Sequence, residues 1–121
     1  EPYFNPQRFK EDFSTASPND QRWFVHEMVH VWQHQQGYPV AARGAVRVGL
    51  PYEYNLSPDS TLSDYNMEAQ GEILADYWAL KNGHPETIHE PQYASNLDLY
   101  EQVLQPFLSN PADTNNLPAL G

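Results

Sequence analysis

The chain contains no cysteine. That single absence removes a disulfide framework, a thiolate zinc finger, an iron–sulfur site and a cysteine nucleophile. Basic residues are scarce, with 6 Lys and Arg against 16 Asp and Glu and a formal net charge of -10. A surface that reads phosphates needs clustered Lys and Arg, so nucleic acid is excluded as a partner and anionic lipid is disfavoured. No run approaches the ~20 apolar residues of a membrane span, so no membrane insertion is expected. No signal peptide is visible, and the chain opens Glu1-Pro2 without Met. The expectation is a processed protein or a domain cut from a longer one, with the targeting segment in the missing part.

At 121 residues the chain has room for one domain with a real core. Its 11 Pro and mean hydropathy of -0.71 raise the question of disorder, but 13% aromatic residues is too many for a solvated tail. Residues 1–16 read as an entry arm whose Tyr3, Phe4, Phe9 and Phe13 pack on the domain. Ser17 is an N-cap, Pro18 suits the first helical position and Asp20 the third, so a helix runs from there to about residue 36. Gly37 then fits the C′ position and Pro39 blocks continuation. Val46, Val48 and Leu50, then Tyr52, Tyr54 and Leu56, alternate with the period of strands, predicting a short β element. A second helix is expected over residues 65–82, capped by Ser63 or Asp64, and a third over 96–105, ended or kinked by Pro106. The fold class is mainly α with a short β element (α+β). Residues 1–109 form one domain and 110–121 a loose C-terminal tail.

His26-Glu27-Met28-Val29-His30 is an H-E-x-x-H run inside the first predicted helix. Residues four apart on a helix share a face, so both imidazoles point to one spot and suit one metal ion. Glu27, one residue on, reaches the edge of that spot and is placed to accept a proton from a metal-bound water. Nitrogen and oxygen ligands without thiolate favour zinc, one per chain. A shuffled chain of this composition shows the run about once in roughly eighty, so the helical context carries the argument.

Two histidines leave a catalytic zinc one protein ligand short. A metzincin would continue with Gly and a third His, but Gln33 and Gln36 stand at those positions. His34 lies two turns from His26 and reads as a surface residue. A carboxylate from the second helix remains, and Glu68, Glu72 and Asp76 form an acidic stripe there at spacing four. Like charges so placed repel, which is best tolerated where a cation neutralises them. A donor to the oxyanion of peptide hydrolysis would come from Tyr52, Tyr54, Tyr65, His84 or His89, with Tyr65 the leading candidate.

The two segments resemble the gluzincin zinc peptidases, which include thermolysin and neprilysin. That resemblance implies one of two registers: Glu68 as ligand with Glu72 behind, or Glu72 as ligand with Asp76 behind. A nearer resemblance spans residues 22–80. There, Phe24-Val25-His26-Glu27-Met28-Val29-His30-Val31-Trp32-Gln33 with Tyr65-Asn66-Met67-Glu68-Ala69-Gln70 is similar to small bacterial Vgr-related metallopeptidase-like domains of type VI secretion and polymorphic toxins. The sequence departs from that pattern at Ala69. The resemblance implies a compact zincin-like domain, with His26, His30 and Glu68 as zinc ligands and Glu72 holding a ligand histidine. It implies a zinc metallopeptidase that cleaves peptide or protein amide bonds, secreted or delivered to a periplasm or target cell. A peptidoglycan amide hydrolase is the alternative within hydrolases. A non-catalytic binding module of a secretion or toxin assembly is the alternative outside them. The acidic surface would suit a basic immunity or inhibitor protein.

Overall fold

The computed structural model describes residues 16–41 and 50–119. The body of the entry arm, with Tyr3, Phe4, Phe9 and Phe13, lies outside the described residues, as do Val46 and Val48. Three α-helices carry the described part: α1 (Pro18–Gln35), α2 (Met67–Lys81) and α3 (Leu97–Ser109). Short 3-10 turns at Leu62–Asp64, Pro85–Thr87, Pro91–Tyr93 and Thr114–Asn116 punctuate the connections. No described helix is long and apolar enough to cross a membrane.

Helix α1 starts as its sequence dictates. The Ser17 hydroxyl accepts from the Asp20 N–H at 3.2 Å, and Pro18, which has no N–H to leave unsatisfied, takes the first position. Gly37 follows with φ +99°, the left-handed geometry that closes a helix C-terminus.

Helix α2 begins two residues later than its sequence suggests. Ser63 and Asp64 are spent in the 3-10 turn, and Asn66 is the cap. Its side-chain Oδ1 accepts from Glu68 N–H at 2.9 Å and Ala69 N–H at 2.8 Å, the bonding of a strong N-cap. Helix α2 is the central element, packed lengthwise on α1 and against α3. Ile73, Ala75 and Ala79 are fully buried, and Glu72 and Asp76 are buried as well. Two members of the acidic stripe are therefore interior to the fold, while Glu68 is partly buried.

Helix α3 runs through Pro106 to Ser109, one turn beyond the expected stop. Proline deprives one carbonyl of its partner, here that of Gln102, and both residues are exposed, so the freed carbonyl faces solvent. The helix buries Tyr100, Val103 and Leu104, and its continuation past the proline brings Phe107 edge-on to Trp32, centroids 5.1 Å apart.

Residues 50–56 form no strand, and none occurs among the described residues. The alternation read there is real but serves another purpose. Tyr54 turns inward to bond Asp76 and Tyr100, and the Leu56 N–H donates to the Tyr93 hydroxyl at 3.0 Å. The backbone finds side chains where a strand would find a neighbour.

The segment from Asn110, expected as loose, is tied to the body. The Trp32 indole N–H donates to the Pro111 carbonyl at 2.8 Å, the Gln70 amide to the Asn116 carbonyl at 3.0 Å, and the Ala119 N–H to the Ser63 carbonyl at 2.9 Å. Its lack of periodicity marked irregular backbone, and irregular backbone still docks where carbonyls meet buried donors.

Candidate metal centre

Helix α1 spaces Arg22, His26, His30 and Gln33 by four, four and three, which sets them on one face against α2. The two imidazoles stand edge to face, centroids 4.9 Å apart. Asn66 fixes the first turn of α2, and that turn presents Glu68, where the positive end of the helix dipole favours a carboxylate.

The three groups converge. His26 Nε2 lies 3.1 Å and His30 Nε2 3.0 Å from the same atom, Glu68 Oε1. Each of the three residues offers a ligand atom, all within 4.8 Å of one another. Ligand atoms around a tetrahedral zinc, at about 2.1 Å from the ion, stand about 3.4 Å apart, a spacing near that of these contacts. The contacts also set the charges. Bonds from His26 and His30 draw the Glu68 carboxyl down to about 2 against the opposing effect of burial. Burial opposes charge on His26 too, but Glu68 and Glu72 outweigh it and hold its pKa at about 9. Two imidazole nitrogens and a carboxylate oxygen thus meet at one spot, an arrangement suited to a cation.

The far nitrogens are held differently. His26 Nδ1 lies 2.7 Å from Glu72 Oε2. His30 Nδ1 lies 2.8 Å from Gln33 Oε1. Carboxylate or amide oxygens behind a ligand imidazole fix its tautomer and orientation. The donor set, its spacing and these supports all fit a zinc ion.

Arg22 completes the interior charges, and the sequence reading passed over it. Its Nη2 donates to Glu72 Oε1 at 2.7 Å and its Nε to Asp76 Oδ1 at 2.7 Å. Burial resists ionisation of Glu72, but the His26 and Arg22 contacts outweigh it and lower its pKa. The cation that neutralises the rear of the acidic stripe is thus Arg22. Its signal was its place one turn before His26, as the only Lys or Arg in α1. Asp76 faces away from both imidazoles, accepting from Arg22, the Tyr54 hydroxyl and the His89 N–H. Among the two registers, the pair beside the histidines is Glu68 with Glu72.

Glu27 is exposed beside this centre, and its charge, after those of Glu68 and Glu72, adds to the effect of burial in raising the Tyr52 phenol. Tyr52 neighbours the Glu68 carboxylate, and its ring lies nearly parallel to that of His26, centroids 5.6 Å apart. Trp23 stacks on His26 as well, at 4.8 Å. Tyr65 is elsewhere: its hydroxyl donates to the Asn55 carbonyl at 2.6 Å and meets Ser60 Oγ at 2.7 Å. Tyr54 is buried on Asp76, His89 Nδ1 lies 3.0 Å from Glu72, and His84 tilts against Trp78. His34 is exposed in the last turn of α1. A separate apolar recess, lined by Val25, Met28, Trp32, Leu74 and Phe107, contains none of these groups.

The chain is similar to the type VI secretion system spike protein VgrG2b of Pseudomonas aeruginosa, with 41% identity over 102 residues. That similarity links it to the Vgr proteins. The match covers 78% of this chain and only 10% of VgrG2b, so the chain corresponds to a small part of that relative. No protein-family model matches the chain, and no solved structure does. A secretion-related role accords with the match.

Proposed function

We propose that the chain is a zinc-dependent metallopeptidase domain, carried by a type VI secretion apparatus and acting on peptide bonds of a target. The observation that supports this reading is the meeting of His26 Nε2, His30 Nε2 and Glu68 Oε1, with Glu27 on the adjoining helical position. These three would hold the ion, and Glu72 and Gln33 would fix their imidazoles. Zinc bound there supplies a Lewis acid that polarises an amide carbonyl and makes water acidic enough to attack near neutral pH.

The chain's own groups do the rest. Glu27, exposed to solvent, takes the proton of the attacking water and passes it to the leaving amine. Tyr52 is the phenol set beside His26 and Glu68, and it donates to the oxyanion in the role first expected of Tyr65. Trp23, 48% exposed, and Tyr52, 37% exposed, offer apolar plates for side chains of an extended substrate. The similarity to VgrG2b supports delivery as part of a spike.

The deciding experiment compares the wild-type chain with Glu27→Gln. Both should bind one zinc by metal analysis, while only the wild type cleaves casein. Casein hydrolysis by Glu27→Gln would sink the general-base role. Cleavage of purified sacculi with casein left intact would move the substrate to peptidoglycan.

A further inference from the structure

The two imidazoles that face Glu68 are backed by chemically different partners. Behind His26 stands a carboxylate, Glu72, itself paired with Arg22. Behind His30 stands a neutral amide, Gln33, fully buried, with a second fully buried amide, Gln70, behind it. Buried glutamines are costly unless every polar atom finds a partner, and here the partners dictate each amide's orientation.

The chain of bonds starts from groups that only accept. Gln70 Nε2 donates to the Leu62 carbonyl at 2.8 Å and the Asn116 carbonyl at 3.0 Å, which uses both of its hydrogens. Its Oε1 therefore faces Gln33 and accepts from Gln33 Nε2 at 2.8 Å. Gln33 Nε2 places its other hydrogen on the Met67 carbonyl at 3.2 Å. What Gln33 has left is an acceptor, Oε1, and it lies 2.8 Å from His30 Nδ1. An acceptor there requires a hydrogen on Nδ1.

We infer that Gln33 and Gln70 form a neutral relay that fixes His30 with its proton on Nδ1, leaving the Nε2 lone pair for the cation. Both are positioning residues, acting through His30 without touching the ion or the substrate. The relay is anchored on three backbone carbonyls, one of them in the segment after α3, so that segment helps hold the metal centre. Its neutrality has a reason: Arg22, the buried cation of α1, already serves Glu72 and Asp76, and a third buried carboxylate at position 33 would lack a counterion.

The inference rests on the zinc reading, and the test keeps the two apart. Zinc affinity is measured by chelator competition for the wild type, Gln33→Met and Gln33→Glu, with folding followed by circular dichroism. Gln33→Met removes the acceptor and should weaken zinc about 10- to 100-fold. Gln33→Glu keeps an acceptor for Nδ1 but loses both donors, so it should unfold more easily yet hold zinc about as well as the wild type. A purely structural glutamine predicts the opposite, with Gln33→Glu as weak for zinc as Gln33→Met, and that result, or unchanged affinity in a folded Gln33→Met, overturns the relay. Where neither variant folds, imidazole nitrogen NMR of the wild type decides: a slowly exchanging His30 Nδ1–H supports the relay, and its absence refutes it. The same spectrum, recorded without metal, decides the relay even if the wild type proves to bind no zinc, an outcome that defeats the proposed function alone.

Discussion

Gly71 of α2 faces the ring of His26 so closely that a Cβ at position 71 would stand 2.7 Å from both its Cε1 and Nδ1. The glycine is a space requirement here, in the middle of a buried helix where it otherwise weakens the element by about 1 kcal/mol relative to alanine. Gly71→Ala therefore sets two effects against each other. The helix gains about 1 kcal/mol, while overpacking a fully buried imidazole costs about 1–3 kcal/mol. Clash should win, with a small loss of stability by urea denaturation. The larger effect is on zinc: the displaced ring should lower affinity at least tenfold in a chelator titration. Wild-type affinity in Gly71→Ala would show that His26 is not held against α2 as described.

Arg22 and the pair Glu72 and Asp76 make a buried three-charge cluster. Removing one member of such a cluster leaves the others uncompensated and costs about 3–5 kcal/mol. Arg22→Met should thus lower stability by that order, a large share of what a domain of this size has. Glu72→Gln should be milder for folding, since it keeps an acceptor for Arg22, but should weaken zinc about 10- to 100-fold by releasing His26. Thermal unfolding and zinc titration on the two variants separate these effects. An Arg22→Met as stable as the wild type would mean that the cluster contributes nothing net.

Zinc that binds the folded chain and not the unfolded one stabilises it by mass action, about 2.7 kcal/mol at a hundred times Kd. For a domain near this size that is a rise in Tm of roughly 10 °C or more. Chelator should abolish the rise in the wild type, and Glu68→Ala should abolish it without chelator. Asp76→Asn, away from both imidazoles, should keep a zinc-dependent rise on a lower baseline. A rise that survives Glu68→Ala and vanishes in Glu72→Ala would transfer the third ligand to Glu72.

The helices were legible because their signals are local. Ser17-Pro18 starts α1, Gly37 ends it, and the residue period places His26 and His30 together. What was not legible depends on partners distant in sequence. Asn66 won the cap of α2 over Ser63 and Asp64 because those two were absorbed by a 3-10 turn. Tyr52, Tyr54 and Leu56 alternate as a strand would, but their partners are a helix and a loop. In the stretch Tyr65-Asn66-Met67-Glu68-Ala69-Gln70 the sequence marked Glu68 as a ligand candidate, while three roles needed three dimensions: the Tyr65 anchor on Asn55 and Ser60, the Asn66 cap, and the Gln70 amide of the relay. Arg22 was visible at helical spacing, yet its role as counterion to α2 needed the packing of the two helices.

The choice between tyrosines gives the sharpest functional contrast. Tyr65 is tied to the Asn55 carbonyl and Ser60, so Tyr65→Phe removes bonds worth about 1 kcal/mol of stability and should leave kcat unchanged. Tyr52 stands over His26 and neighbours Glu68. Loss of one oxyanion donor typically lowers kcat about 10²- to 10³-fold, so Tyr52→Phe should fall by that order while KM changes little. Its zinc content should stay at one per chain, since the phenol is no ligand in this arrangement. Were Tyr52→Phe to lose zinc together with activity, the hydroxyl would be a support for Glu68 and the oxyanion donor would have to be sought in another group. Were kcat unchanged with zinc in place, Tyr52 would serve the substrate through its ring alone, and Tyr52→Leu would then raise KM.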